Sequence, residues 1–506
     1  MGFQRSFFSS AILATSCFLC PLIGQEGVLK AEVLSLPDAI RQALANNYQI
    51  KAAALGTGIT DADLDAEWGA FHPGLQARVT SSDDGSPVST DPFSGDRPPA
   101  SVVETDSYSV GVGGRTPIGT TYSVSGFSQN RRGTFNNFAS NYYSFGGLEV
   151  TQPLLKDFGL HANLVGVRLA SASHESARWR YRASVMNTVT LVINAYLELD
   201  FANKRLATAE TSRGLAQSLL DENIKRARAG DLSQADVISA ETRVAGREEA
   251  ILLARRGVLV AANALKQLIS SDTSAALLSR NMVIAEPPLF PDHSPDPAVE
   301  IGPALERRPD YQQAIIDVDR TDINRRYRKN QLLPSLDLVG SLGYNGLDGQ
   351  SGTSWDNVRN RESRSYSLGA VVSIPLTFAV ERGRYRSAKL AQQQAEMALA
   401  GVEQNIVVDI GNAASQIETA KLRVAATQKS YELAVQNLDA ELKKLRAGTG
   451  DTFFVLTQQE VLANTQISVD RAQTDLQLAL AEYDRQMGIT LDRHAITIEG
   501  DAETSY

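Results

Sequence analysis

Few residues in this 506-residue chain are spaced for chemistry. Cys17-Phe18-Leu19-Cys20 has the spacing of a redox pair, in which one thiolate attacks a disulfide and the other resolves it. The five histidines, His72, His161, His174, His293 and His494, could act as ligands or bases, but none has an i, i+4 partner or an HExxH setting. Each reads as a structural or surface histidine. The run Gly111-Val112-Gly113-Gly114 lacks the strand-to-helix context of a dinucleotide loop. Neither a GxxxxGK motif nor a GxSxG motif occurs. No catalytic, cofactor or metal site emerges, and the chain does not read as an enzyme.

The setting of the cysteines disposes of the redox reading. They lie in an uncharged, largely apolar stretch from Phe7 to Gly24, between Arg5 and Gln25-Glu26, which reads as a secretory signal peptide within residues 1–31. Cleavage after Gly24 or Ala31 is expected. An anchoring helix is disfavoured because the stretch is short and broken by Pro21. Lipid attachment at Cys17 stays open, although Ala14-Thr15-Ser16 lacks the usual preceding leucine. The remainder has no thiol, so its fold rests on packing. With 58 acidic against 49 basic residues, a net charge of -9 offers no broad surface for phosphates, and nucleic acid is excluded as a main partner. No later segment carries the ~18 consecutive apolar residues of a spanning helix. If the mature chain crosses a membrane, it does so with strands.

The chain repeats itself. Ala43-Leu44 and Pro73-Gly74-Leu75 match Ala304-Leu305 and Pro334-Ser335-Leu336 at one offset of 261. Gln152-Pro153-Leu154 matches Ile374-Pro375-Leu376 at 222, and Arg228-Ala229-Gly230 matches Arg446-Ala447-Gly448 at 218. The first copy therefore carries 39 extra residues in its middle. Pro287-Pro288 through Pro303 reads as the linker. The reading is a first repeat over 32–286, with strands in about 74–152 and a helical hairpin in about 160–270. A second repeat over 287–490 has strands in about 334–376 and a hairpin in about 384–487, and a tail spans 491–506.

Each copy runs helix, strands, long helix, turn, helix. Leu160–Ala227 and Arg384–Ala447 contain no proline, and each predicts a rod of ~100 Å. Pro37–Ala70 plus Ser233–Ile269 sum to about one rod, as do Pro297–Asn330 plus Thr452–Met487, so two short helices should stack end to end beside each long one. The return helices carry heptads: Val237, Val244, Ile251, Val258 and Leu265 in one copy, and Val455, Leu462, Val469, Leu476 and Tyr483 in the other. Val424, Tyr431, Val435, Leu438, Leu442 and Leu445 on the second rod should answer them in an antiparallel coiled coil.

Between the helices the period becomes two. Tyr108, Val110 and Val112; Leu336, Leu338, Leu342 and Tyr344; and Tyr366, Leu368, Ala370 and Val372 alternate with Ser, Gly and Asp, as half-buried strands do. Eight Phe and Tyr residues between Tyr108 and Phe145 suggest the aromatic girdle of a barrel in lipid, with polar loops over Ser81–Glu104 and Asn345–Ser363. So few strands cannot close a pore, and an open edge in lipid leaves backbone groups unpaired. Several protomers must share one barrel, which then continues into a helical tube.

Leu36-Pro37-Asp38-Ala39-Ile40-Arg41-Gln42-Ala43-Leu44-Ala45-Asn46-Asn47 resembles the opening of the TolC family of outer-membrane efflux proteins. Gln152-Pro153-Leu154-Leu155, Ile374-Pro375-Leu376 and the two Arg-Ala-Gly turns extend the resemblance over essentially the whole mature chain. It implies a mainly α fold with membrane β-barrel strands, a homotrimer sharing a barrel of twelve strands, four per protomer, and a coiled-coil tunnel in the periplasm. The extra residues of the first copy leave room for a further hairpin. The resemblance also implies an outer-membrane location, a periplasmic adaptor and an inner-membrane transporter as partners, and passive export of small molecules. An exit duct for secreted proteins is the alternative within the family; a periplasmic coiled-coil protein without a pore is the alternative outside it. By resemblance, Arg228, Gly230 and Asp236 in the first turn, with Arg446 and Gly448 in the second, are adaptor-docking and entrance residues. Some members close the entrance with acidic residues, but Phe454 and Thr457 stand at the matching positions here. An apolar gate of Phe453 or Phe454 is therefore expected.

Overall fold

The computed structural model describes residues 33–498 except 91, 96–99, 231, 280–281 and 291–295. The signal segment with Cys17 and Cys20, His293 and the end of the tail lie outside the described residues.

The short strand β1 (Val33–Leu34) leads into α1 (Leu36–Asn46). Ser35 caps this helix by accepting from the Asp38 amide, and Pro37 stands in its first turn. Asn47 ends α1 and caps α2 (Tyr48–Gly69) by accepting from the Gln49 and Ile50 amides. Four strands follow: β2 (Gly74–Ser86), β3 (Ser101–Arg115), β4 (Thr121–Gly133) and β5 (Tyr142–Pro153). A single turn, α3 (Leu160–Asn163), precedes the rod α4 (Val165–Ala229) and its return helix α5 (Gln234–Ile269). After α6 (Ala276–Ser279), β6 (Val283–Ile284) pairs in parallel with β1. The second copy comprises α7 (Pro297–Arg307), α8 (Pro309–Asn330), β7 (Ser335–Asp348), α9 (Ser351–Arg359), β8 (Ser363–Ser373), the rod α10 (Ala379–Arg446), α11 (Thr452–Gln486) and α12 (Thr490–Arg493). Pro303 lies inside α7, so the linker is shorter than its prolines suggest.

The rods have 65 and 68 residues, ~100 Å each. Helices α2 and α5 pack along α4, while α8 and α11 pack along α10. The stacking of short helices is explicit at their joints. Asn46 and Asn47 donate to the Ile269 and Leu268 carbonyls, and the Tyr48 hydroxyl donates to the Ser271 carbonyl, tying the end of α5 to the start of α2. In the second copy Arg308 donates to the carbonyl and side chain of Gln486, tying α11 to α8. Asn47 and Arg308 are equivalent under the offset of 261, like Ala43 and Ala304, both fully buried.

The return-helix heptads face the rods: Val237, Val244, Leu265, Val455, Val469 and Tyr483 are buried. One expectation fails on α10, where Val435 is exposed and the smaller Ala434 takes the seam, allowing closer approach of the helices. The apolar cores gather at the waist, around Ile193, Tyr196, Leu265 and Ile269 in one copy and Ile406, Ile410, Ile417 and Tyr483 in the other. Burying each such side chain stabilises by about 1.5–3 kcal/mol. The Tyr196 hydroxyl donates to the carbonyls of Leu34 and Ala285, holding β1 and β6 against α4. Burial, with Asp200 nearby, pushes this phenol up to about 12.

The strands form one antiparallel six-stranded sheet in the order β2-β3-β4-β5-β7-β8. Four strands per chain is therefore corrected to six: the extra residues of the first copy build a second hairpin. The polar stretches also behave differently from the expected loops. Ser81–Ser86 and Ser101–Glu104 extend β2 and β3 as paired strand, and Asn345–Ser363 contains the end of β7 and all of α9. Cross-strand pairing holds such residues extended despite their weak strand propensity.

Burial alone would raise the Asp310 carboxyl, but hydrogen bonds and charge from Arg308 outweigh it and hold it below the usual range. Glu482 is depressed likewise, its burial outweighed by Arg485 and Gln486. With folded-state values below the unfolded ones, these groups stabilise at neutral pH, and that contribution is lost as pH falls through and below about 4. Solvent screens the half-exposed Asp310, so the Gln486 bonds dominate the joint. Arg308→Ala should cost about 1–3 kcal/mol and should flatten the acid loss of stability. Thermal unfolding followed by circular dichroism as a function of pH checks both.

Candidate functional site

Two regions stand out: the turns at the far ends of the rods, and the two faces of the sheet. At the first turn α4 stops because Gly230 adopts φ 88°, a left-handed conformation that glycine takes without strain, and its amide bonds to Ala227. Gly448 does the same after α10 at φ 75°. Ser233 and Asp236 form a reciprocal capping box at the start of α5, their side chains 2.6 Å apart. One carboxylate oxygen of Asp236 is thus used in capping α5. Asp451 caps α11 by accepting from the Phe453 amide at 2.8 Å.

Both rods end in cations, Arg226 and Arg228 on α4 and Lys443, Lys444 and Arg446 on α10, which suits the negative end of each helix dipole. Lys443 pairs with Asp439 and Lys444 with Glu441. Arg228 and Arg446 are exposed and make no ion pair among the described residues. Phe453 and Phe454, in the first turn of α11, are more than half exposed and meet edge to face at 5.8 Å.

The two turns are brought together. Arg226 donates to the Leu445 carbonyl at 3.2 Å, and Leu219 of α4 packs with Leu438, Leu445, Val455 and Leu456 of the other hairpin. Farther along, Glu460 of α11 takes Arg243 at 2.7 Å and Arg247 at 3.8 Å, both on α5. Arg471 of α11 joins Glu198 of α4 and Asp475, which also holds Arg423 of α10. Sequence reasoning missed these clamps. Glu460 and its arginines, like Arg471 and Glu198, lie more than two hundred residues apart, and on long solvated helices each charge is indistinguishable from an ordinary surface one.

Strand register fixes what the sheet presents. One face collects Leu75, Ala77 and Val79 of β2, Val110 and Val112 of β3, Leu148 and Val150 of β5, Leu336, Leu338 and Leu342 of β7, and Leu368, Ala370 and Val372 of β8. The other collects Gln76, Arg78 and Thr80, Ser107 and Ser109, Ser123 and Ser125, Glu149 and Thr151, and Ser341, Ser365 and Ser367. From Leu336 to Tyr344 the apolar band runs ~26 Å along the strand, or ~21 Å of height at a barrel strand's tilt of ~35°, against the ~25 Å of an outer-membrane wall. The aromatic girdle is only partly as expected. Tyr108, Tyr122 and Tyr142 lie on the apolar face, but Phe127, Tyr143 and Phe145 stack together on the polar face, and Phe135 and Phe138 lie beyond the strands. Helix α9 lies on the apolar face at its polar-tipped end. Ser354 bonds the Tyr142 and Gly346 carbonyls, and Trp355 covers Gly126; any side chain at Gly346 would collide with the Ser354 carbonyl.

Three of the histidines take ordinary places. His174 lies 3.4 Å from Thr60, His161 bonds Arg168, and His494 packs against Phe290, its imidazole pushed down by burial and by Arg493. Among the described residues no helix is long and apolar enough to cross a membrane.

A sheet apolar on one side and polar on the other, joined to two ~100 Å helical hairpins, defines an outer-membrane channel-tunnel. The chain belongs to the outer membrane efflux protein family, whose sequence model matches residues 39–271 and 301–488. It is 26% identical over 352 residues to the outer membrane efflux protein BepC of Brucella suis, covering 67% of this chain and 72% of that protein. Its fold is similar to that of the Vibrio cholerae outer membrane protein VceC, with a TM-score of 0.65 at 18% identity over 90% of this chain and 96% of the other. The Campylobacter jejuni CmeC channel gives 0.64 at 15% identity over 90% and 86%. The open-state Neisseria gonorrhoeae MtrE channel gives 0.62 at 17% over 90% and 89%. This is an outer-membrane efflux channel of the kind that works in tripartite systems.

Removing the carboxylate in Glu460→Ala should loosen α5 from α11 near the turns, at a global cost of no more than about 1 kcal/mol because the pair is half exposed. Hydrogen exchange should speed up across 228–247 and 446–460 while the unfolding temperature barely moves; unchanged exchange there would show that the clamp is idle.

Proposed function

We propose that three copies of this chain form a passive conduit for small molecules, with the barrel in the outer membrane and the helical hairpins reaching into the periplasm. The observation that carries this reading is the six-stranded sheet, apolar on one face, polar on the other and open at both edges. One chain cannot close such a sheet, and lipid does not tolerate the open edges. A periplasmic adaptor docks at the rod ends, where Arg228 and Arg446 offer cations without an ion pair among the described residues and Gly230 and Gly448 set the turns. Asp236 supports this surface through its cap. An inner-membrane transporter supplies the energy.

The exposed Phe453 and Phe454 form an apolar closure, three pairs converging at the entrance of the tunnel. Hydrophobic constrictions of this sort gate by expelling water. Cells lacking the chain should accumulate the exported compounds, and supplying the chain should reverse this. Phe453→Ala together with Phe454→Ala should raise the closed-state single-channel conductance severalfold. An unchanged conductance would remove these residues from the gate.

A further inference from the structure

We infer that three copies close one eighteen-strand barrel by pairing β8 of one copy with β2 of the next in a single register, Gly74 opposite Ser373 and Asp83 opposite Arg364. The inference rests on the conduit reading and goes beyond it in strand number, in the partner surface and in the residues that match.

Both edges of the sheet are exposed along their length: all of β8 and all but one residue of β2. The register of the existing sheet sets the geometry of closure. A line of directly paired residues starting at Gly74 passes through Gly113, Ser123, Glu149 and Ser341 and arrives at Ser367. Ser367 stands six residues before Ser373, the end of β8, so the strand ends drift by six residues across the five pairings of the sheet, and closing Gly74 on Ser373 spreads that drift over six strand-to-strand steps. One residue of drift per strand is ~3.3 Å along against ~4.7 Å across, a tilt of ~35°. That lies within the range in which strands close into barrels.

Aligning Gly74 with Ser373 then pairs every residue of β8. Leu75 meets Val372, Ala77 meets Ala370 and Val79 meets Leu368 on the apolar face, while Thr80 meets Ser367 and Ser82 meets Ser365 on the polar face. At the outer end Asp83 stands opposite Arg364. Arg364 lies over the Tyr366 ring and has no ion pair among the described residues. A slip of one residue would turn the polar face of β2 into lipid. A slip of two in one direction would place Asp83 opposite Glu362, and in the other opposite Tyr366. The charge pair therefore selects among the registers that the alternation allows. Since diameter grows about linearly with strand number, the wall is about half again as wide as one of twelve strands.

The test uses the full-length chain in outer-membrane vesicles under mild oxidation. Thr80→Cys with Ser367→Cys should give covalent dimers and trimers, single-cysteine chains should give none, and the slipped pair Thr80→Cys with Ser365→Cys should cross-link at least tenfold more slowly. Asp83→Arg should weaken the detergent-resistant oligomer, and adding Arg364→Asp should restore it. Membership of the extra hairpin is read by a membrane-impermeant maleimide, which should label Ser109→Cys on the polar face and spare Val110→Cys on the apolar face. Equal labelling of the two would put β3 outside the lipid wall and overturn the eighteen-strand barrel. Faster cross-linking of the slipped pair, or none by the matched pair in a protein that still conducts, would overturn the register and leave the conduit standing. Loss of oligomer and conductance in the unmodified chain would overturn both.

Discussion

The constraint on which the rest of the structure depends is the backbone hydrogen bond in lipid. A strand edge facing hydrocarbon has no water to satisfy its amides and carbonyls, each at a cost of several kcal/mol. A six-stranded sheet has two such edges, so the chain becomes stable in a membrane only as part of a closed ring. Closure places the same demand on everything attached to the sheet. The helices leaving β5 and β8 are carried into a ring as well, and their coiled-coil seams then have neighbours on both sides. A tube below a barrel follows from one unsatisfied edge.

Length is handled by a second device. A rod of 65 residues cannot bury itself, and one partner of equal length would have to cross the waist unbroken. The chain instead splits the partner in two and welds the pieces, with Asn47 doing this in one copy and Arg308 in the other. In the first copy a neutral amide bonds a backbone carbonyl at the end of α5. The guanidinium serves where Asp310, Gln486 and the nearby Asp409 supply acceptors. The duplication preserved the position of the weld and changed its chemistry. At the far ends the core narrows to small clusters such as Leu219, Leu438, Leu445 and Val455, flanked by glycine turns, caps and half-exposed ion pairs.

What could be read from the sequence depended on periodicity. The heptads of the return helices, the length of the rods and the alternation in Tyr366–Val372 are local patterns, and the structure has them where they were expected. The turn glycines were also visible, because a left-handed helix end has a residue requirement. Strand number was less accessible. Ser81–Ser86 and Ser101–Glu104 carry Ser, Asp and Glu that read as loop, and only their pairing with each other makes them strand. The stack of Phe127, Tyr143 and Phe145 on the polar face was hidden because composition counts aromatics without saying which face they take. The Glu460 and Arg471 clamps join segments far apart in sequence and leave no local trace. Asp236 was placed correctly in the turn, but its commitment to the Ser233 cap is a matter of geometry.

The claim at the centre of this account is that the chain is a wall segment of a shared pore. Ion conductance across a planar bilayer, recorded on detergent-purified protein whose oligomer mass is measured in the same preparation, tests it most directly. The account predicts discrete, uniform channels from a particle of three chains. A water-soluble monomer that leaves the bilayer silent would contradict it.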